Sequence, residues 1–274
     1  MRSYRRAIVV GAGIAGLCAA RALADRFERV TVFERDQLPA AVEPRPGVPQ
    51  GRHAHALSHS SRSLLIYPVE GGRWIMSTGG RHDERPPQGW PAILDHLRGL
   101  RTPTAFETMR AAVDVSVPAH FLFRASEWRH YEKLACLPQG LLPIGDAICV
   151  FNPVYGQGMG VAAQEARLLQ DLLATSGADP RAGDYFAGTQ TLIDTPWTSA
   201  AVPDFAHPQT RGERPADLAQ RLAFAGTLMR LAADDAAVHR LILEVAHLLK
   251  PRSAYLAPAP LARIQSLMAA PGTA

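Results

Sequence analysis

Gly11, Gly13 and Gly16 are spaced Gly-x-Gly-x-x-Gly between an apolar run, Ala7 to Val10, and a helix-forming run, Leu17 to Ala24. That spacing suits phosphate chemistry. Gly11 lets the chain leave a strand in a tight turn, Gly13 removes a side chain where a pyrophosphate must approach the backbone, and Gly16 lets helix and strand pack closely. The turn residues Ala12, Ile14 and Ala15 belong to a helix N-terminus, whose free N–H groups and positive dipole end attract phosphate. Glu34, with Arg35 beside it, closes a second β-branched and aromatic run, Val30 to Phe33. Its carboxylate is placed to accept hydrogen bonds from both hydroxyls of a ribose. Strand, glycine turn, helix, strand, acid is the order of a dinucleotide-binding unit.

A second group of such residues follows much later. Leu141 to Ile144 predicts a short buried strand that ends in Gly145-Asp146. Then Pro153-x-x-Gly156-x-Gly158-Met159 forms a loop that opens a long amphipathic helix over 161–174, with Leu168, Leu169, Leu172 and Leu173 as its apolar stripe.

These two groups carry a resemblance. Gly11, Gly13, Gly16, Ala20, Leu23, Val30 and Glu34 fall in register with the FAD fingerprint of the glutathione-reductase-like flavoprotein superfamily. Phe27 stands where that pattern usually has glycine. The acid disfavours a 2′-phosphate, so FAD or NAD is expected rather than NADP. The Gly145-Asp146 and Pro153 to Met159 segments resemble the second FAD signature of the aromatic-hydroxylase (p-hydroxybenzoate hydroxylase-like) class of flavin monooxygenases. Segments 48–57, 67–74 and 128–132 and the C-terminal helices resemble the same class. The resemblance implies that Asp146 binds a ribityl hydroxyl and that the helix N-terminus faces the flavin. It implies that Gly156 and Gly158 let the backbone close on the ring, and that Arg52 lies against the flavin or its pyrophosphate. Gly160 replaces the family's usual Asn or Ser.

The implied fold is α/β: a Rossmann-like FAD/NAD(P)-binding domain, a mixed-sheet substrate domain and a C-terminal helical region. The interval between the two signatures is short for the family. No Asp-Gly dipeptide occurs in the chain, although the family's middle strand ends in one. An internal deletion is therefore expected, leaving about three parallel strands and a truncated substrate sheet. The expected division is 1–63 and 135–176 for the two halves of the FAD domain, 64–134 for the substrate-domain remnant and 177–274 for the helices. Exposed sheet edges predict self-association.

The elements that position these residues are read from periodicity. A helix is predicted from His55 to Leu65. Leu64 to Glu70 and Arg73 to Ser77 flank Gly71-Gly72 as a hairpin, with Pro68 favouring an edge strand or the hairpin's open side. Trp90 to Leu100 has helical spacing. Val113 to Val117 and His120 to Phe123 predict further strands. Helices are expected over about 181–194, led by Asp179-Pro180 as cap and first turn, and over about 215–232, 234–249 and 258–269.

Composition narrows the function. The net charge of +4 comes almost wholly from arginine, since lysine occurs only at Lys133 and Lys250. Acids interrupt the arginines throughout, so a solvated surface is expected and nucleic-acid binding is not. Cys18, Cys136 and Cys149 have no CxxC spacing and read as small core residues of a reducing, cytoplasmic protein. No apolar run is long enough for a membrane span. His53, His55 and His59 lack a nearby carboxylate or cysteine at ligand spacing, and no metal site is expected. Trp74, Trp90, Trp128 and Trp197 read as core or domain-interface residues. Trp74 is a candidate substrate contact, as is Trp128. His239 and His247 read as core-edge residues.

The resemblance implies an FAD-dependent monooxygenase that uses NAD(P)H and O2 to hydroxylate or epoxidise a hydrophobic or aromatic small molecule. Two alternatives remain open: an internally deleted, inactive FAD-binding relative, and a flavin reductase of isoprenoid double bonds. The cofactor carries the hard chemistry in such enzymes, and no acid–base residue is assigned.

Overall fold

The computed structural model describes residues 4–35, 54–57, 62–69, 73–82, 84–100, 103–112, 115–176 and 180–269. The chain divides into two compact units: one built from 1–38 and 123–274, the other from 39–122. The architecture is mixed α/β, with a helical majority and small sheets.

The first unit begins with β1 (Tyr4–Val10), α1 (Ile14–Ala24) and β2 (Phe27–Phe33). β1 and β2 pair in parallel, from Tyr4 opposite Phe27 to Val10 opposite Phe33. Val9 is buried, while Ile8 and Val10 beside it are exposed, as is Phe33. One face of this pair is therefore apolar and open. Among the described residues the parallel sheet has two strands rather than about three.

The missing member is the expected strand at 141–144. Ile144 is extended, at φ −146° and ψ 149°, but this stretch joins no described ladder. A side chain supplies part of what a neighbouring strand would: the Tyr185 hydroxyl donates to the Pro143 carbonyl at 3.2 Å. After a short turn at Gly145–Ala147, β7 (Cys149–Val150) pairs antiparallel with β6 (Glu127–Trp128).

Helices complete the unit. α4 (Gly158–Ser176) packs on α1 and on α5 (Ala182–Asp204). Its apolar stripe is buried at Leu169 and Leu173, with Leu168 and Leu172 partly buried beside them. α5 starts after Pro180, with Arg181 as its cap, rather than with a proline in its first turn. Asp179 lies outside the described residues. α5 also runs past the expected end at 194, through the buried Pro196. A proline inside a helix removes one backbone bond; the fully buried Ile193 and Ala200 flank it in the core that holds the helix together.

α6 (Leu218–Asp234), α7 (Ala236–Ala246) and α8 (Pro258–Ala269) gather around Leu228, Val238, Leu241, Val245, Tyr255 and Ile264. His239 and His247 are exposed rather than at the core edge. The buried stripe of α7 runs Val238, Leu241, Val245, and neither histidine falls on it. Cys149 is buried and Cys18 half-buried, but Cys136 is exposed in the irregular stretch before Leu141. Trp128 stacks on His130 at 4.5 Å and tilts against Trp197 at 5.6 Å, both tryptophans packing on the main core.

The second unit holds an antiparallel sheet in the order β3 (Ala54–Leu57), β4 (Arg62–Val69), β5 (Arg73–Gly80). The helix expected from His55 to Leu65 is therefore strand at both ends. Leu64 and Ile66 are both buried at a period of two, and tertiary packing overrides the local helical pattern. The hairpin is present, although its Gly71-Gly72 turn lies outside the described residues. β4 is the central strand, yet Pro68 stands beyond its described pairing with β3, which ends at Ile66. Pro68 thus lacks a described partner on that side.

α2 (Trp90–Arg98) matches its periodicity, and α3 (Thr104–Met109) was not foreseen. Together they bury Leu97, Leu100 and Ala105 against Leu64 and Ile66. Residues 115–123 form no strand: Val117 is 92% exposed and Phe121 94%, so their alternation has no face to cover. Trp74 is exposed on β5.

Candidate functional site

The glycine turn is fastened to the end of β2. The Gly11 amide donates to the Phe33 carbonyl at 2.8 Å, continuing the parallel ladder into the turn. Gly11 has φ +97°, a conformation that excludes most side chains. Gly16 is held by contact: a Cβ there would lie 1.9 Å from the Gly11 carbonyl oxygen. Gly13 is the opposite case. A Cβ there would meet nothing within 4 Å, so the backbone at the start of α1 is open to solvent. An open backbone at a helix N-terminus is what an approaching phosphate requires.

Glu34 stands at this turn. One carboxylate oxygen accepts from the Ala12 amide at 2.5 Å, and the other from the Arg35 amide at 2.7 Å. The acid expected to meet a ribose is thus attached to the phosphate turn as well. Arg35 is exposed. Arg52 lies outside the described residues, as do His53 and His59, and of His55 only the backbone is described.

The second group of residues meets the first. Gly145 has φ +63°, and a Cβ on it would fall 2.5 Å from the Ala15 Cβ in the first turn of α1. The turn after Gly145 is therefore seated directly on α1. Asp146 follows, exposed, and its Oδ1 lies 4.0 Å from where a Cβ on Gly158 would stand. Its carboxylate is left facing the start of α4, while its backbone carbonyl accepts from Arg129 at 2.8 Å.

The Pro153 loop is braced from behind. Asn152 accepts from the Val154 amide at 3.2 Å, which sets the short turn at Pro153–Tyr155. Gly156 ends that turn at φ +66°. The Asp204 carboxylate at the end of α5 accepts from Asn152 Nδ2 at 3.2 Å and from the Tyr155 hydroxyl at 3.3 Å. Met159 is exposed in the first turn of α4. The other side of that turn is covered, since Gln157 donates to the Ala246 carbonyl at 3.3 Å and Gln164 to the Leu248 carbonyl at 3.1 Å.

Sequence reading missed Glu165. It is fully buried, and its Oε2 accepts from the Gly145 amide at 2.6 Å. Its Oε1 is buried without a partner among the described residues. Burial pushes its carboxyl up to about 7, against the pull of the Gly145 amide and with a further push from Asp146. Burial likewise pushes the nearby Cys149 thiol up to about 12, with Glu165 adding to it. The signal was available: Glu165 falls on the stripe Val161, Ala162, Ala166, Leu169, Leu173, where every other member is apolar. Asp204, 58 residues after Asp146 in sequence, left no comparable trace.

Comparison with known proteins agrees with the geometry. Residues 6–47 match the family described as FAD dependent oxidoreductase, which covers the glycine turn, α1, β2 and Glu34. The chain is also similar to Protein Rv3254 of Mycobacterium tuberculosis, at 33% identity over 177 residues. That match covers 60% of this chain and 36% of the relative, so it spans little more than a third of the relative's length. No helix among the described residues is long and apolar enough to cross a membrane.

Proposed function

We propose that the first unit binds FAD and that the chain belongs to an oxidoreductase that oxygenates a hydrophobic or aromatic small molecule, with NAD(P)H as electron donor and O2 as oxidant. The observation that carries the cofactor assignment is the junction of Gly145 with Ala15. It brings two signatures, separated in sequence, to one place: an open glycine turn on one side, and an exposed aspartate facing a helix start on the other. The residues present fit FAD. Gly13 leaves room over the α1 N-terminus, and Gly158 leaves room beside Asp146.

In this reading the amides at the open start of α1, from Gly13 onward, hold the pyrophosphate, while the Gly11 and Ala12 amides fix the turn through Phe33 and Glu34, and Glu34 orients the adenosine ribose. Asp146 holds a ribityl hydroxyl. The free amides of Gly158 and Met159 and the dipole of α4 stabilise negative charge on the ring. FAD, when bound, supplies the hydride-accepting and oxygen-activating chemistry. The chain positions it and excludes water.

A specific feature favours a second reading, a relative that keeps FAD but does not turn over. The parallel sheet has two described strands, and 141–144 is unpaired. Oxygen uptake separates the readings. With FAD, NADH or NADPH and a panel of aromatic compounds, the first predicts substrate-stimulated oxygen consumption. FAD binding without donor oxidation would favour the second. Substrate reduction without oxygen uptake would point to a flavin reductase.

A further inference from the structure

Glu165 has no role in the site as assigned so far, yet it is built into its centre. It reaches from α4 to the amide of Gly145 at 2.6 Å, at the residue that seats the turn on Ala15. Replacing Gly145 is sterically blocked, so this hydrogen bond fixes where the next residue, Asp146, stands. The cost of that anchor is unusual. A carboxyl with no solvent exposure has one oxygen satisfied and the other without a partner among the described residues. A purely structural tie to one amide could be made by an amide side chain without burying an acid.

We propose that Glu165 is the positioning residue of the Asp146 turn, and that its proton is coupled to occupancy of the site by FAD. The ligand in this inference rests on the FAD reading above.

The coupling follows from the groups that face Glu165. Asp146 on the adjoining turn is an acid, and Cys149 on β7 and Tyr185 on α5 are both held neutral by burial. Arg129, a cation close to Cys149, donates to the Asp146 backbone. α1 presents Ala15 at this junction. A ligand lying over Asp146 removes the water that screens the two carboxyls from each other. That penalises a second negative charge and so favours the protonated form of Glu165. Reciprocity then requires that protonated Glu165 favour the ligand. Affinity for FAD falls as pH rises through the titration of Glu165.

The same group links pH to folding. The folded chain holds the Glu165 proton above its ordinary value of 4.5, up to about 7. The folded state thus binds more protons than the unfolded state in that interval, and stability declines as pH rises across it.

The test compares wild type with Glu165→Gln, which keeps an accepting oxygen toward Gly145 but cannot ionise. FAD dissociation constants and ligand-free melting temperatures are measured from about pH 5 to about pH 9. Wild type should lose roughly three- to tenfold in FAD affinity across that range, while the variant stays flat. The wild-type melting temperature should fall relative to the variant between pH 4.5 and about 7 and run parallel to it above that. Parallel profiles for both proteins would overturn the proposal. Should FAD bind neither protein at any pH, the cofactor reading fails, and the ligand coupling proposed for Glu165 falls with it. The melting curves then judge the remaining anchor, with divergence supporting a titrating Glu165 and parallel curves removing it. If the variant does not fold, the infrared band of a buried carboxylic acid in wild type decides. A band that disappears near neutral pH supports the proposal, and its absence throughout overturns it.

Discussion

The Glu34 carboxylate accepts from the Ala12 amide at 2.5 Å, so the acid that ends β2 is tied to the glycine turn that ends β1. Glu34→Ala cuts this tie and removes the acceptor for a ribose. Hydrogen bonds to charged groups contribute about 1.5–3 kcal/mol each, so FAD affinity should fall by roughly ten- to a hundredfold. Glu34→Gln keeps an acceptor and should lose less. Fluorescence titration with FAD measures both.

Gly13 and Gly16 separate binding from folding. Gly16→Ala places a Cβ 1.9 Å from a backbone oxygen, which cannot yield as a side chain can. Its stability should fall by about 1–3 kcal/mol, seen as a lower denaturant midpoint. Gly13→Ala meets nothing within 4 Å. That variant should keep a stability close to wild type and lose FAD affinity, because the added methyl stands where the pyrophosphate approaches. Equal loss of stability in both variants would contradict this division.

Asp204 tests the brace behind the second signature. It accepts from Asn152 and from Tyr155, on either side of Pro153 and Val154. Asp204→Ala removes both of these hydrogen bonds, each contributing about 0.5–1.5 kcal/mol. The Pro153 to Gly156 loop should loosen, with protease sensitivity rising there and FAD affinity falling several-fold. An unchanged dissociation constant would show that the loop holds its shape without α5.

The helical cluster carries its own pH signature. Asp235 caps α7 through the Ala237 and Val238 amides at 3.0 and 2.9 Å and pairs with Arg263 on α8. The Arg263 guanidinium, with these amides, holds the Asp235 carboxyl down to about 2. Stability from this group is present above the ordinary value of 3.8 and is lost as pH falls toward about 2. Circular dichroism below about pH 4 should show loss of helix in wild type, and Asp235→Asn should blunt that dependence while lowering the melting temperature at neutral pH.

The first signature was legible because every residue in it has a local job: a glycine at φ +97°, a glycine against a carbonyl, an acid at a strand end. The long helices were legible for the same reason, since their apolar stripes repeat along one segment. What failed depended on partners. Residues 141–144 and 115–123 alternate like strands, but a strand exists only where another pairs with it. The helix expected from His55 to Leu65 is strand at both described ends, with Leu64 and Ile66 going to the core. The helix expected to end near 194 runs on through Pro196, which is buried inside it. Asp204 reaches the site through the fold alone. Glu165 is the exception: an acid on an apolar stripe was visible and went unread.

The central claim is that Gly13 and Asp146 serve one FAD molecule. The most direct measurement is equilibrium titration of the purified chain with FAD, followed by flavin fluorescence and the visible spectrum, alongside Gly13→Ala and Asp146→Ala. Saturable binding to wild type, weakened at least tenfold in each variant, is the expected result. A colourless protein that takes up no FAD, or binding that neither substitution weakens, would contradict it.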